Sequence, residues 1–244
     1  MKRYLATIQY LGKNYSGFQK QQNGLAIQQV IEEALFKLFG KRTEIFASGR
    51  TDAGVNAYAQ TIHFDAQTTI PANKIPLAVN ILLPEDIKFL DCKVVDDNFN
   101  ARFDVKKKTY EYHIYVSNVE LPTKNQTSYW LKTNPNIEKM KASAKILLGE
   151  HNFKAFMSAG AQQKTFVRKI YSIKIVQKKQ DIVITVCGNG FLYNMVRIIV
   201  GTLLEVGFGK KTAQDVLFAL ESESRKNAGY LVPAKALFLK SVKY

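Results

Sequence analysis

Two cysteines, Cys92 and Cys187, are all that the sequence holds, which excludes a disulfide framework and a four-cysteine zinc site. Histidine is nearly as scarce: His63, His113 and His151 lie far apart and show no metal-ligand spacing. Long apolar runs are missing as well. The longest stretch, Met195–Val206, is broken by Arg197, Gly201, Thr202 and Glu205, short of the ~18–20 residues of a membrane span. The opening Met1-Lys2-Arg3-Tyr4-Leu5 enters an alternating pattern at once and lacks the apolar core of a secretory signal. There is neither a P-loop nor a GxGxxG turn, so Gly12, Gly17 and Gly24 form no phosphate-binding signature. No Ser–His–Asp arrangement can be read. These absences predict a soluble, cytoplasmic chain with no metal and no nucleotide cofactor. Any chemistry it performs has to rest on a carboxylate, cations and aromatics.

Acidic residues are the next shortage: 20 against 35 basic ones give a net charge of +15. A basic surface suits a polyanionic partner, most often nucleic acid; the alternative is a lysine-rich style that only aids solubility. No basic amphipathic helix with a clean apolar face is visible, which disfavours a membrane surface. Hydrophobic residues at 46% exclude a disordered chain, and 244 residues allow one large domain or two modest ones.

Alternation over Lys2–Tyr10 predicts a strand, and apolar spacing over Ala26–Phe39, stopped by Gly40, predicts a helix. Further strands are expected at Thr43–Ala47, Gln60–Asp65, Ile87–Val95, Lys107–Ser117, Phe166–Lys178, Ile182–Cys187 and Leu237–Val242. Helices are expected at Asn73–Leu83, Ile137–Leu148, Leu192–Val206 and Thr212–Leu220. Residues 117–127 and 158–165 read as polar connections. The order strand–helix–strand–strand–helix–strand occurs roughly twice, which predicts two similar α+β halves with helices packed on antiparallel or mixed sheets. The halves are expected at 1–106 and 107–244.

Ser48-Gly49-Arg50-Thr51-Asp52-Ala53-Gly54-Val55 sits between two predicted strands, with glycines bracketing an Arg and an Asp. Such a loop either presents a carboxylate in a cleft or is an ordinary turn in which Asp caps its own backbone. Arginine usage bears on the choice. With seven arginines against 28 lysines, each arginine is a candidate for work that a point charge does badly, such as bidentate contact or stacking on a base. Arg50 shares the Asp52 loop, Arg102 lies in Phe99-Asn100-Ala101-Arg102-Phe103, and Arg197 interrupts an apolar helix. Arg197 there either meets a carboxylate, for which Asp52 is the natural candidate, or snorkels to solvent or caps a helix end. Tyr110 and Tyr112 share a strand face; they offer a ring to a nucleobase or serve as core.

Six blocks, in order, resemble the bacterial-type tRNA pseudouridine synthase A family. The Ser48–Val55 loop resembles its active-site motif, and Tyr10-Leu11-Gly12-Lys13-Asn14-Tyr15-Ser16-Gly17-Phe18-Gln19 its opening segment. Phe99–Phe103 resembles FxARF, Lys108-Thr109-Tyr110-Glu111-Tyr112 the tyrosine strand, Phe191–Gly201 the MVR helix, and Pro233–Leu239 the closing block. The resemblance implies a pseudouridine synthase fold of two α+β halves forming a cleft, a homodimer, and isomerisation of uridine to pseudouridine at positions 38, 39 and 40 of the tRNA anticodon stem-loop, without cofactor or metal. It assigns the essential aspartate to Asp52, substrate binding to Arg50, Tyr110 and Arg197, and an ion pair between Arg197 and Asp52. Arg102, Lys106, Lys107 and Lys108 are expected on RNA. Three positions depart from the pattern: Asn56 and Asn100 stand where histidine is usual, and Ala236 where glycine is.

Overall fold

Side chains alternate along the first strand: Tyr4, Ala6, Ile8 and Tyr10 are buried on one face, while on the other Arg3, Thr7 and Gln9 are not and only Leu5 is. The computed structural model describes residues 1–22, 24–160 and 163–244. Ala161 and Gln162 of the 158–165 connection, and Asn23 before Gly24, lie outside the described residues. The elements run β1 (Lys2–Tyr10), α1 (Ile27–Phe39), β2 (Phe46–Ala47), β3 (Asn56–Ala66), α2 (Ile75–Asn80), β4 (Ile87–Val95), β5 (Lys107–Val116), α3 (Pro122–Asn125), β6 (Tyr129–Leu131), α4 (Ile137–Ala144), β7 (Gly149–Asn152), β8 (Val167–Lys178), β9 (Asp181–Gly188), α5 (Met195–Gly207), α6 (Ala213–Ser222) and β10 (Leu237–Lys243).

These elements form two compact units, Met1–Lys106 with Phe238–Tyr244, and Lys107–Leu237. In the first unit the strand order is β4-β1-β3-β10, with β2 on β3. The β1 pairings are antiparallel and β10 joins β3 in parallel, through Phe238 opposite Asn56 and Leu239 opposite Ala57. The last strand, counted with the second half in the sequence reading, therefore packs on the first unit. Periodicity shows that a strand exists; it does not show which partner it finds. Register places Tyr4 opposite Phe64, and their rings stack at 5.5 Å. Helix α1 buries Ile27, Ile31, Ala34 and Leu35 and ends on Gly40 at φ +68°, the left-handed cap that glycine adopts without strain.

In the second unit β5-β9-β8-β7 is antiparallel, with β6 parallel to β5. One face of this sheet carries Tyr112, Ile184 and Ile175 in register, all buried. Helix α5 is apolar nearly all round, and its buried residues include Ile198, Ile199, Leu203 and Leu204, as expected of a helix enclosed by its own unit. Both units are thus α+β with mixed sheets. The predicted helix over Ile137–Leu148 is shorter: α4 stops at Ala144, a 3-10 turn follows at Lys145–Leu147, and Gly149 at φ +96° opens β7. The helix expected from Leu192 starts at Met195, because Asn194 takes φ +60° just before it.

Candidate active site

The Asp52 loop leaves β2 and returns in β3, and its backbone is held from three sides. From within, Val55 N–H donates to the Asp52 carbonyl at 3.1 Å, closing a turn in which Gly54 adopts φ +76°. From below, the buried Gln60 side chain accepts the Ser48 hydroxyl at 2.5 Å and donates to the Gly49 carbonyl at 2.8 Å. The buried Tyr10 hydroxyl meets Thr51 Oγ1 at 2.7 Å, and burial pushes that phenol well above its ordinary range.

The third side is the glycine-containing stretch after β1. Phe18 N–H donates to the Thr51 carbonyl at 3.0 Å, and Gly12 N–H to Asn56 Oδ1 at 2.8 Å. A Cβ at Gly12 would lie 2.2 Å from the Val55 carbonyl oxygen, and one at Gly17 3.0 Å from that of Thr51. Gly17 also has φ +109°. These two glycines allow one backbone to lie directly on the other. The stretch is itself anchored on Asp86, which takes the Tyr15 hydroxyl at 2.5 Å, Asn14 Nδ2 at 3.0 Å and, on its carbonyl, Leu11 N–H at 2.9 Å. Asp52 emerges half-buried and Arg50 exposed: a carboxylate on a fixed backbone beside a solvated guanidinium.

Arg102 lies elsewhere in this unit, on an exposed turn at residues 99–104, and Lys106 N–H donates to the Lys243 carbonyl at 2.8 Å. In the second unit Lys107 and Lys108 open β5, with Lys107 Nζ 4.9 Å from the centre of the Tyr171 ring. Tyr110 is buried on this strand, edge-on to Phe191 with centroids 5.2 Å apart. Its neighbour Tyr112 is fully buried core, its hydroxyl donating to the Pro233 carbonyl at 2.9 Å. Arg197 is half-buried on the first turn of α5. Its Nε donates to the Val232 carbonyl at 2.8 Å and Nη1 to Asn194 Oδ1 at 2.7 Å. These two bonds fix the orientation of the guanidinium plane. The helix can lie this close to its neighbour because Gly201 has no Cβ; one would fall 1.9 Å from the Tyr230 carbonyl oxygen.

Sequence reasoning missed Asn56, Gly12, Gly17, Gln60 and Tyr10 as supports of the loop. The two glycines are the visible signal, although they match no phosphate-binding spacing. Among the described residues no group of three or more His, Cys, Asp or Glu side chains is placed to hold a metal ion, and no helix is long and apolar enough to cross a membrane.

The sequence model of the family described as "tRNA pseudouridine synthase" matches residues 6–104 and 143–244. The chain belongs to that family. Proteins named tRNA pseudouridine synthase A from Clostridium kluyveri and Clostridium acetobutylicum are each 41% identical to this synthase over 244 residues, covering all of both chains. The one from Thermoanaerobacter sp. (strain X514) is 38% identical over the same full length. Among solved structures, one titled "Crystal Structure of a Cbf5-Nop10-Gar1 Complex" is similar over 99% of this chain and 58% of that one, at 11% identity and a TM-score of 0.38. As a tRNA pseudouridine synthase the protein is an isomerase.

Proposed function

We propose that the protein converts uridine to pseudouridine at positions 38, 39 and 40 of the tRNA anticodon stem-loop, with Asp52 as the essential carboxylate and with no cofactor. The observation that carries this reading is the Asp52 loop. Its backbone is fixed by Phe18, Gln60 and the Gly12–Asn56 contact, while the carboxylate remains half-buried. The reaction breaks the N-glycosidic bond, turns the uracil, rejoins it through C5 and releases the C5 proton. A carboxylate serves the first step as a nucleophile or by stabilising positive charge on the ribose, and both roles need it ionised. A base inside a duplex must first leave its stack, at a cost of a few kcal/mol. Arg50, exposed beside Asp52, is suited to hold the backbone of the displaced nucleotide. Tyr110 supplies the ring that holds the uracil, and Arg197 the cation that favours the ionised carboxylate. The protein works as a homodimer in the cytoplasm.

The test is tritium release from tRNA transcripts labelled at uridine C5, comparing wild type with Asp52→Asn. Release by wild type alone, with the product mapped to the three positions, is the expected result. Transcript binding without release by either protein would overturn the reading in favour of a binding role. A double-mutant cycle between Asp52→Asn and Arg197→Gln then tests the assigned pair: coupling makes the double variant no worse than the poorer single one.

A further inference from the structure

The most exposed aromatic side chain among the described residues is Phe103, at 77%. Scattered exposed apolar side chains are ordinary; the manner of its mounting is not. Asn100 Oδ1 accepts both Arg102 N–H at 2.9 Å and Phe103 N–H at 3.3 Å. Asp104 Oδ2 returns to Asn100 N–H at 2.8 Å, so the one acidic group in the turn is engaged in closing it. Ala101, fully buried, is gripped at both ends: its N–H donates to His63 Nδ1 at 3.1 Å and its carbonyl accepts the Tyr244 hydroxyl at 3.0 Å. Arg3 Nη1 holds the Phe99 carbonyl at 3.0 Å, and the Phe99 ring packs against Tyr244 with centroids 4.8 Å apart. A six-residue turn is thus bolted to the first unit by its backbone, and the Arg102 and Phe103 side chains are left outside. The Arg102 guanidinium carbon lies 5.6 Å from the Phe103 ring centre. The sequence from Phe99 to Lys108 carries Arg102, Lys106, Lys107 and Lys108 against Asp104 alone.

We propose that Phe103 and Arg102 form a stacking site for an unpaired or splayed nucleobase of the RNA substrate, separate from the reacting uridine. A ring preorganised at a fixed backbone loses little entropy on binding, and every base has a face to offer it. The neighbouring guanidinium suits the adjoining phosphate, and the local excess of cations suits a polyanion over an apolar protein surface, while the exposed ring suits a base rather than a carboxylate. This rests on the reading of the protein as a tRNA-modifying enzyme and adds to it a contact outside the chemistry.

The experiment measures binding of an unmodified tRNA transcript to the full-length protein across a salt series, alongside tritium release. Phe103→Ala is expected to weaken binding between about fivefold and about a hundredfold, with the slope of log K against log salt unchanged. KM rises by the same factor and kcat is retained. Phe103→Trp restores affinity, because it restores a ring. Arg102→Gln is expected to reduce the salt slope by about 1, the signature of one lost phosphate contact. Phe103→Ala binding within about twofold of wild type would overturn the proposal, as would equal losses in the Ala and Trp variants. A changed oligomeric state with unchanged RNA affinity would overturn it too, assigning the turn to a second copy of the chain. If wild type binds the transcript and releases no tritium, the isomerase site assignment fails while the comparison of Phe103 variants still decides the stacking site.

Discussion

Asn56 shows how a change of residue type can keep a contact. Its amide oxygen, buried at the start of β3, is the acceptor for Gly12 N–H, and that bond ties the stretch after β1 to the end of the Asp52 loop. Histidine, which the resemblance implies at this position, also offers a ring nitrogen as an acceptor. Asn56→Ala leaves a buried N–H without its partner, a loss of about 1–3 kcal/mol, and frees the loop to shift. Since a misplacement of about 1 Å can cost about a hundredfold in rate, steady-state kinetics should show kcat falling at least about tenfold with KM little changed. Asn56→His should recover most of the activity; failure of that rescue would assign Asn56 only a packing role. His63 supports the other departure, the turn carrying Asn100. Burial, and then the Arg3 charge, lower its pKa from 6.5, and its Nδ1 must stay unprotonated to accept Ala101 N–H. The unfolded chain therefore binds the proton more readily than the folded one. His63 contributes stability fully above its unfolded pKa of 6.5, and that contribution is lost as pH falls through the lower folded value. Asp65, held below its ordinary pKa by its hydrogen bonds to Arg3, adds a loss only under more acidic conditions. Thermal melts from neutral pH to about 5 should show a falling midpoint in wild type and a flatter profile in His63→Asn; parallel profiles would reject the assignment.

The stretch from Leu11 to Phe18 acts as a buttress, and its glycines mark where it touches. Gly12→Ala forces a Cβ against the Val55 carbonyl, and Gly17→Ala adds a side chain at φ +109° against that of Thr51. Gly40→Ala meets only the positive-φ strain, because nothing lies within 4 Å of its Cβ position. All three variants should lose stability in urea titrations, of order 1–3 kcal/mol for those with positive φ. Only Gly12→Ala and Gly17→Ala should also lose kcat; equal activity in all three would disconnect the buttress from the site. The same comparison explains what was legible in the sequence. Long strands with local alternation, such as Lys2–Tyr10 and Ile87–Val95, were readable to the residue. Tyr129–Leu131 is three residues long and shows no period to read, and Gly149–Asn152 was hidden behind a helical pattern that the chain abandons at Ala144. The Asp52 loop stood out because glycines bracket it within one short window. Its supports did not, since Gly12 and Asn56 meet across 44 positions and Tyr10 and Thr51 across 41. Contacts over such separations leave no local spacing. The expected residue roles come from the resemblance to a family, while the backbone contacts show how the Asp52 loop itself is held.

The whole chain carries +15, and that excess has a measurable consequence if the substrate is tRNA. Each phosphate neutralised by a lysine or arginine releases counterions, so log K falls with log salt by about 0.7–0.9 per contact. An enzyme with 6–10 such contacts loses about 10³- to 10⁵-fold in affinity between roughly 50 and 200 mM salt. Lysines are well suited to this part, because a point charge on a flexible stem serves phosphate without reading a base. Lys106, Lys107 and Lys108 supply three adjacent candidates where the chain passes from the first unit to the second. Lys106 and Lys107 have exposed side chains, and Lys108 is half-buried. Replacing all three by Gln should reduce the salt slope by about 2–3 if each meets a phosphate. A reduction of about 1 would mean that only one does. The Lys107 ammonium already lies over Tyr171, so Lys107→Gln alone is the informative single variant. A lost unit of slope would show that it leaves the ring for RNA, while an unchanged slope with a lowered melting temperature would show that it belongs to the ring. If the triple variant keeps the full slope, the excess charge acts through other surfaces and these three lysines are not phosphate contacts.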